Sequence, residues 1–450
     1  MTIKKIRLNS ILFLSLILLL ENKLFAQQQF SLKEAREYAL KNSYNIKTSK
    51  KDYEIAEKQI SEIRATGLPQ INGEANFQNF LDIPTQVLPA NAFNPAADPN
   101  ELVPIRFGTD YSAYGQLQAS QLIFDGSYIV ALQASKVYAK SALQNMKKTE
   151  FEVIEEVSNA YYGAIAAKEN LEILKQNLEK NNKIYEESKI ILENGLLEET
   201  EVEQLELALS NIKNSINRAE RQEKVSLQLL KFLMGMDINT NIELTSNLET
   251  LMNEAAQDAL GSQTFNPEQN IDFQLVQTQK DLMKLNLRRE KFMYMPTVSG
   301  FFNYRQDAFR NEFSFFDNEK DWFPATIWGL RLSLPIFDSG QKQAKIKQAK
   351  YDFEKAEIME KQVSQSLIMQ LERSKGDLES AIERFTTEKR NIEIAQKIQN
   401  NNLIKYQEGI ISSIELNQSQ TQLLSTQANY INAIFDVLNA KSSYEKVTNK

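Results

Sequence analysis

Apolar positions along this chain follow two periods, and the same succession of periods occurs twice. From Ser31 to Ala65 they fall at helical spacing, with Leu32, Ala35, Ala39 and Leu40 leading and Ser31 and Glu34 forming an S-x-x-E capping pattern. Gly67-Leu68-Pro69 stops that helix. From Gln70 the period becomes two: Ile71, Gly73, Ala75 and Phe77 alternate with Asn72, Glu74, Asn76 and Gln78, which predicts a strand over 70–81 with one apolar and one polar face. A second strand of the same kind is predicted over 111–124. The loop between them carries Pro84, Pro89, Pro95, Pro99 and Pro104 and reads as an exposed excursion. A proline-free run from Ser127 to Asn194 follows, and a continuous helix of that length would reach roughly 100 Å.

The second half repeats these events. A helical stretch after Pro267 ends at Met295-Pro296, as the first ends at Leu68-Pro69, and strands are predicted over 297–305 and 326–337. A second proline-free run covers 341–408. An Ile-Phe-Asp segment precedes each run, at Ile123-Phe124-Asp125 and Ile336-Phe337-Asp338. Phe124 and Phe337, Asp125 and Asp338, and Gly163 and Gly376 are each 213 positions apart, and Gly195 and Gly409 are 214 apart. The chain is an internal duplication. It divides into residues 1–26, a first repeat over 27–233, a polar linker over 234–266 with at most short helical turns, and a second repeat over 267–450. Short breaks at Glu193–Glu199, around Gly195, and at Gln407–Ser413, around Gly409, are each followed by a returning helical pattern, so each repeat ends in an antiparallel helical hairpin.

Composition adds a compartment and removes several chemistries. Lys4, Lys5 and Arg7, the apolar run Ile11–Leu20 and the ending Leu24-Phe25-Ala26 make residues 1–26 a secretory signal peptide, with an apolar part too short to span a bilayer. Its removal takes four basic residues and one acid, lowering the net charge from −7 to −10 and leaving a poor nucleic-acid binder. The chain has no cysteine and no histidine, which excludes thiol nucleophiles, His-based triads, His-ligated zinc and an amino-terminal lipid anchor on cysteine. Carboxylates are plentiful, yet no acidic pair sits in a pocket-forming context, so no enzyme activity and no cofactor are expected.

Four amphipathic strands are too few to close a transmembrane barrel, for which about eight is the minimum. Either they form a soluble sheet or several copies pool them; a long-hairpin periplasmic adaptor and a structural coiled coil of the envelope are the other readings of the helices. The pieces Ser31-Leu32-Lys33-Glu34-Ala35, Leu68-Pro69, Phe124-Asp125-Gly126, Pro335-Ile336-Phe337-Asp338 and the two tip glycines resemble the TolC family of outer-membrane efflux proteins, over essentially the whole mature chain.

That resemblance implies a mainly α-helical chain with a β-barrel part: a homotrimer with a twelve-stranded outer-membrane barrel continuous with a long periplasmic helical barrel. It also implies a passive exit duct of a tripartite efflux or type I secretion system. The implied partners are a periplasmic adaptor (membrane fusion) protein, an inner-membrane transporter of RND, ABC or MFS type, and outer-membrane lipid. Phe124, Asp125, Phe337 and Asp338 would mark the junction of barrel and tunnel, and Gly195 and Gly409 the hairpin tips at the periplasmic entrance. The family's constricting acids fall six and nine positions after the second tip glycine, here Glu415 and Gln418, so one acid per chain remains. Glu415 has two readings, a member of a charged ring and a solvated acid favoured by the helix dipole. Ile411 replaces a basic residue of the family. Tyr406 and Glu201 match its closed-state contacts, although for Tyr406 ordinary packing is an equal reading.

Overall fold

A computed structural model describes residues 28–258 and 265–448. The expected signal peptide lies outside the described residues. In order the chain forms β1 (Gln28–Phe30), α1 (Leu32–Asn42), α2 (Tyr44–Thr66), β2 (Gln70–Asn79), β3 (Thr85–Pro89), β4 (Leu102–Arg106), β5 (Tyr111–Phe124), α3 (Gly126–Glu193) and α4 (Glu199–Met234). There follow β6 (Ile242–Leu244), α5 (Leu248–Asp258), α6 (Ile271–Phe292), β7 (Thr297–Arg310), β8 (Phe323–Ser333), α7 (Gln341–Gln407) and α8 (Ser413–Thr448). The chain divides into two compact units, one from residues up to 51, 144–274 and from 361 onward, the other from 52–143 and 275–360. Each unit draws on both halves of the sequence.

The second unit is built on an antiparallel sheet of order β2-β5-β7-β8. Its register pairs Ile71 with Ala119, Leu117 with Tyr304 and Phe302 with Trp328, so the alternation in all four strands places apolar side chains on one common face. Glu74, Tyr114, Arg305 and Asp307 lie on the other face and interact: Tyr114 donates to Glu74 at 2.7 Å, and the Arg305 guanidinium sits 3.9 Å from the Tyr114 ring centroid and 2.6 Å from Asp307. A bulge between Leu122 and Phe124 ends β5. The proline-rich excursion contains the hairpin β3-β4, which the proline count had hidden, because Pro89 and Pro104 stand within its two edge-only strands.

The two Ile-Phe-Asp segments do the same local work. The Asp125 carboxylate accepts from the Tyr128 N–H at 3.0 Å and from the Ser127 hydroxyl at 2.6 Å, capping α3, and from the Thr297 hydroxyl of β7 at 3.3 Å. Asp338 accepts from the N–H groups of Gly340 and Lys342 at 3.1 and 3.0 Å, capping α7. A 68-residue helix and a 67-residue helix thus each start from the same side chain. β8 ends at Ser333, short of the expected 337, so Phe337 and Asp338 belong to the connection into α7.

The first unit holds the largest apolar core. Tyr161, Ile165, Leu230, Met234, Leu248, Ile434 and Leu438 are fully buried in it. The expected helix over 31–65 is two helices, because Ser43 adopts an extended backbone, closes α1 through its N–H to Ala39 O, and accepts from Ile46 N–H at the start of α2. Gly235 ends α4 in the left-handed region at φ 74°, where a Cβ would stand 2.2 Å from the Asn42 carbonyl oxygen. The described part of the region expected to be a linker holds more structure than its polarity suggested. β6 pairs in parallel with β1, and α5 packs Leu248, Leu251 and Met252 into the core. Tyr161 donates to Phe30 O at 2.8 Å and bonds Ser246 at 3.1 Å, fixing that segment against α3.

Candidate functional site

The two breaks between long helices have one construction. After α3, Gly195 sits at φ 73°, with its N–H on Leu192 O and the Leu196 N–H on Ile191 O; after α7, Gly409 sits at φ 72°, with its N–H on Tyr406 O and the Ile410 N–H on Lys405 O. This paired 5→2 and 6→1 bonding satisfies the last carbonyls and needs a residue free to take positive φ, so glycine stands at both positions. Leu196, Ile410 and Ile414 are exposed at these tips.

The tips are joined by side-chain contacts. Tyr406 Oη and Ser188 Oγ are 2.9 Å apart, linking α7 to α3. Burial pushes the Tyr406 hydroxyl up from its ordinary value, with the Ser188 bond opposing and the Glu201 charge adding to the rise, so it stays protonated and able to donate. Glu201 accepts from the Ser413 N–H at 3.3 Å at the start of α8, and Ser413, fully buried, donates its hydroxyl to Gln204 at 2.9 Å. A cavity of about 850 Å³ lies beside these residues, lined by Leu196, Glu198, Glu201, Tyr406, Gly409 and Ile411.

Of the residues singled out in the sequence, Tyr406, Glu201 and the tip glycines therefore come together. Glu415 and Gln418 do not join them: both are exposed on α8, one helical turn apart, and neither side chain makes a hydrogen bond or ion pair among the described residues. Glu415 lies in the first turn, where the helix dipole favours an acid. Asp125 and Asp338 act as helix caps; Phe124 is partly exposed and Phe337 largely exposed. Sequence reasoning missed Ser188, Gln204 and Ser413. Only Ser413 carried a signal, as a serine at the first position of a resumed helix.

No group of acidic residues among those described could hold a metal ion, and no described helix is long and apolar enough to cross a membrane. The sequence matches the family described as outer membrane efflux protein over residues 35–236 and 270–449. The chain belongs to that family. This efflux protein is an outer-membrane channel component, and its family is one of channels rather than enzymes. No curated protein sequence matches the chain.

Among solved structures, the fold is similar to the CmeC outer membrane channel of Campylobacter jejuni, at 17% identity and TM-score 0.70, covering 93% of this chain and 85% of that one. It is similar to VceC of Vibrio cholerae at 14% identity and TM-score 0.67, covering 93% and 95%. The open-state MtrE channel of Neisseria gonorrhoeae gives 15% identity and TM-score 0.68, covering 93% and 88%.

Proposed function

We propose that three copies of this efflux protein pool their sheets into one twelve-stranded barrel continuous with a periplasmic helical tunnel. The assembly is a passive exit duct working with a periplasmic adaptor and an inner-membrane transporter. The observation that carries this reading is the sheet itself. Among the described residues its outer strands β2 and β8 have no partner on their far sides, and its apolar face is bare, with Trp328 77% and Leu330 69% exposed. An open edge with an exposed apolar face is a liability in water. Edge-to-edge pairing of three such sheets removes every edge, turns the apolar face to lipid, and leaves Glu74, Arg305 and Asp307 facing a wet interior.

In this reading the two repeats, 27–233 and 267–450 around the segment 234–266, each supply two staves and one hairpin. Asp125 and Asp338 lie where strand gives way to helix. The tips carry the entrance, with Tyr406–Ser188 and Glu201–Ser413 holding the hairpins together and Glu415 supplying three converging carboxylates, one per copy. Purified protein in planar bilayers tests the function: discrete, long-lived conductance steps are expected, and purified trimer that passes no current would contradict it.

A further inference from the structure

We propose that one face of α3 and α6, directly below the four-stranded sheet, binds the headgroups of anionic phospholipids in the periplasmic leaflet of the outer membrane. The inference rests on the barrel reading above. Ile129, Gln133, Lys136 and Lys140 recur at intervals of four, three and four on one side of α3, and Lys284, Arg288 and Lys291 at four and three on one side of α6. The two sides form one surface, because Arg288 donates to Gln133 Oε1 at 3.4 Å. All five basic side chains are exposed, and Lys136, Lys140, Lys284 and Lys291 make no hydrogen bond or ion pair among the described residues.

Charge identifies the ligand. The face carries five bases against one acid, Asp281 at its end away from the sheet, in a chain whose mature net charge is −10. α3 has no acid at all from Gly126 to Thr149. The helix dipole favours bases only in the last turn of α6 and gives no reason for Lys136, Lys140 or Lys284. Unpaired bases gathered on one face of an acidic protein attract anions, and beside a bilayer the anions at hand are lipid headgroups.

Position identifies the leaflet. Ile123 stands on the apolar face of the sheet, since a Cβ on Gly300 would meet Ile123 Cδ1 at 3.6 Å and Leu330 Cδ2 at 3.7 Å. Ile129, 44% exposed, lies at the sheet end of the basic face; a water-filled tunnel would leave it in water, whereas a lipid edge covers it. Apolar first and basic next is the order of side chains at a membrane–water boundary. Lys291 is one residue from the end of α6, and Lys136 is ten residues into α3, about 15 Å by helix rise. Side chains on α3 tilt back toward the sheet, so these bases reach a headgroup layer about 5–8 Å thick. Arg288 is held at that level, 5.1 Å from the Phe292 ring centroid.

Native mass spectrometry of the full chain in detergent, with equal amounts of phosphatidylglycerol and phosphatidylethanolamine of the same acyl chains, counts chains and bound lipids in one spectrum. Phosphatidylglycerol is expected to be retained about tenfold over phosphatidylethanolamine, and the ratio should fall as ammonium acetate is raised. Lys136→Gln, Arg288→Gln and Lys291→Gln together should bring the ratio close to one. Lys180→Gln, Lys189→Gln and Lys213→Gln, which remove three exposed lysines of the first unit, should leave it unchanged. Equal retention of the two lipids by the unaltered protein would overturn the proposal, and that comparison needs no variant to fold. A preference that survives the first set, or is lost with the second, would also overturn it. Particles of one chain would contradict the barrel reading instead, and the same spectrum separates that failure from a loss of lipid preference.

Discussion

Alanine at Gly235 separates two costs that the structure combines at one residue. Gly195 and Gly235 have nearly the same backbone, φ 73° and 74°. A Cβ at Gly195 meets nothing within 4 Å, whereas at Gly235 it would meet Asn42 O at 2.2 Å, Asn42 C at 2.7 Å and Ser43 Cα at 2.8 Å. Gly195→Ala therefore carries only the left-handed penalty, about 1–2 kcal/mol, reduced by about 0.4–1 kcal/mol because the unfolded chain is also restricted. Gly235→Ala carries the same terms and must also move the backbone where α1 gives way to α2 by about 1 Å, since the obstacle is a carbonyl that cannot rotate away. Overpacking of that kind adds about 1–3 kcal/mol. Urea unfolding of the full chain in detergent, followed by far-ultraviolet circular dichroism, reads the difference. Gly235→Ala should unfold at clearly lower urea than Gly195→Ala, by about 1–3 kcal/mol. Midpoints equal within about 0.5 kcal/mol would show that the close approach of Gly235 to Asn42 is not made.

Further outcomes follow from single groups. Burial pushes the Tyr162 hydroxyl up to about 12, and burial likewise raises Tyr161. A raised folded value means that stability is full below the unfolded tyrosine value near 10 and falls as pH rises toward 12; thermal midpoints should be flat from pH 7 to 9 and drop above 10, and Tyr162→Phe should flatten that drop. Asp125→Ala should cost about 0.5–2 kcal/mol by removing the α3 cap, with Asp125→Asn largely sparing it, and thermal melts that rank the two alike would refute the capping role. Hydrogen bonds from Ser127, Tyr128 and Thr297 outweigh burial and hold Asp125 below its ordinary value, so its contribution is present above the carboxylate range and lost on acidification through the folded value. Glu415→Ala should lower cation preference in single-channel recordings; unchanged selectivity would leave Glu415 as a solvated first-turn acid.

The parts of this fold legible in the sequence are those governed by local rules. The period-two segment at 111–124 matched β5 residue for residue, and both glycine breaks matched the helix ends, because a Schellman turn needs positive φ and glycine marks it. What was missed depended on distant partners. β1 and β6 are three residues each, too short to show a period, and are held by Tyr161 more than a hundred positions from Phe30. Ser43 breaks a helix in the middle of an uninterrupted helical pattern, where its hydroxyl caps α2 and Gly235 packs closely against Asn42. At the tips, Tyr406 and Glu201 were found by resemblance, while Ser188 looked like any solvated serine within a helix until α7 was laid beside it.

The account rests on the open edges of β2 and β8 being closed by other copies of the chain. Native mass spectrometry of protein extracted from outer membranes measures this directly. Three chains per particle, falling to one on heating, is the expected result. A single chain per particle, recovered from the soluble periplasmic fraction, would contradict it.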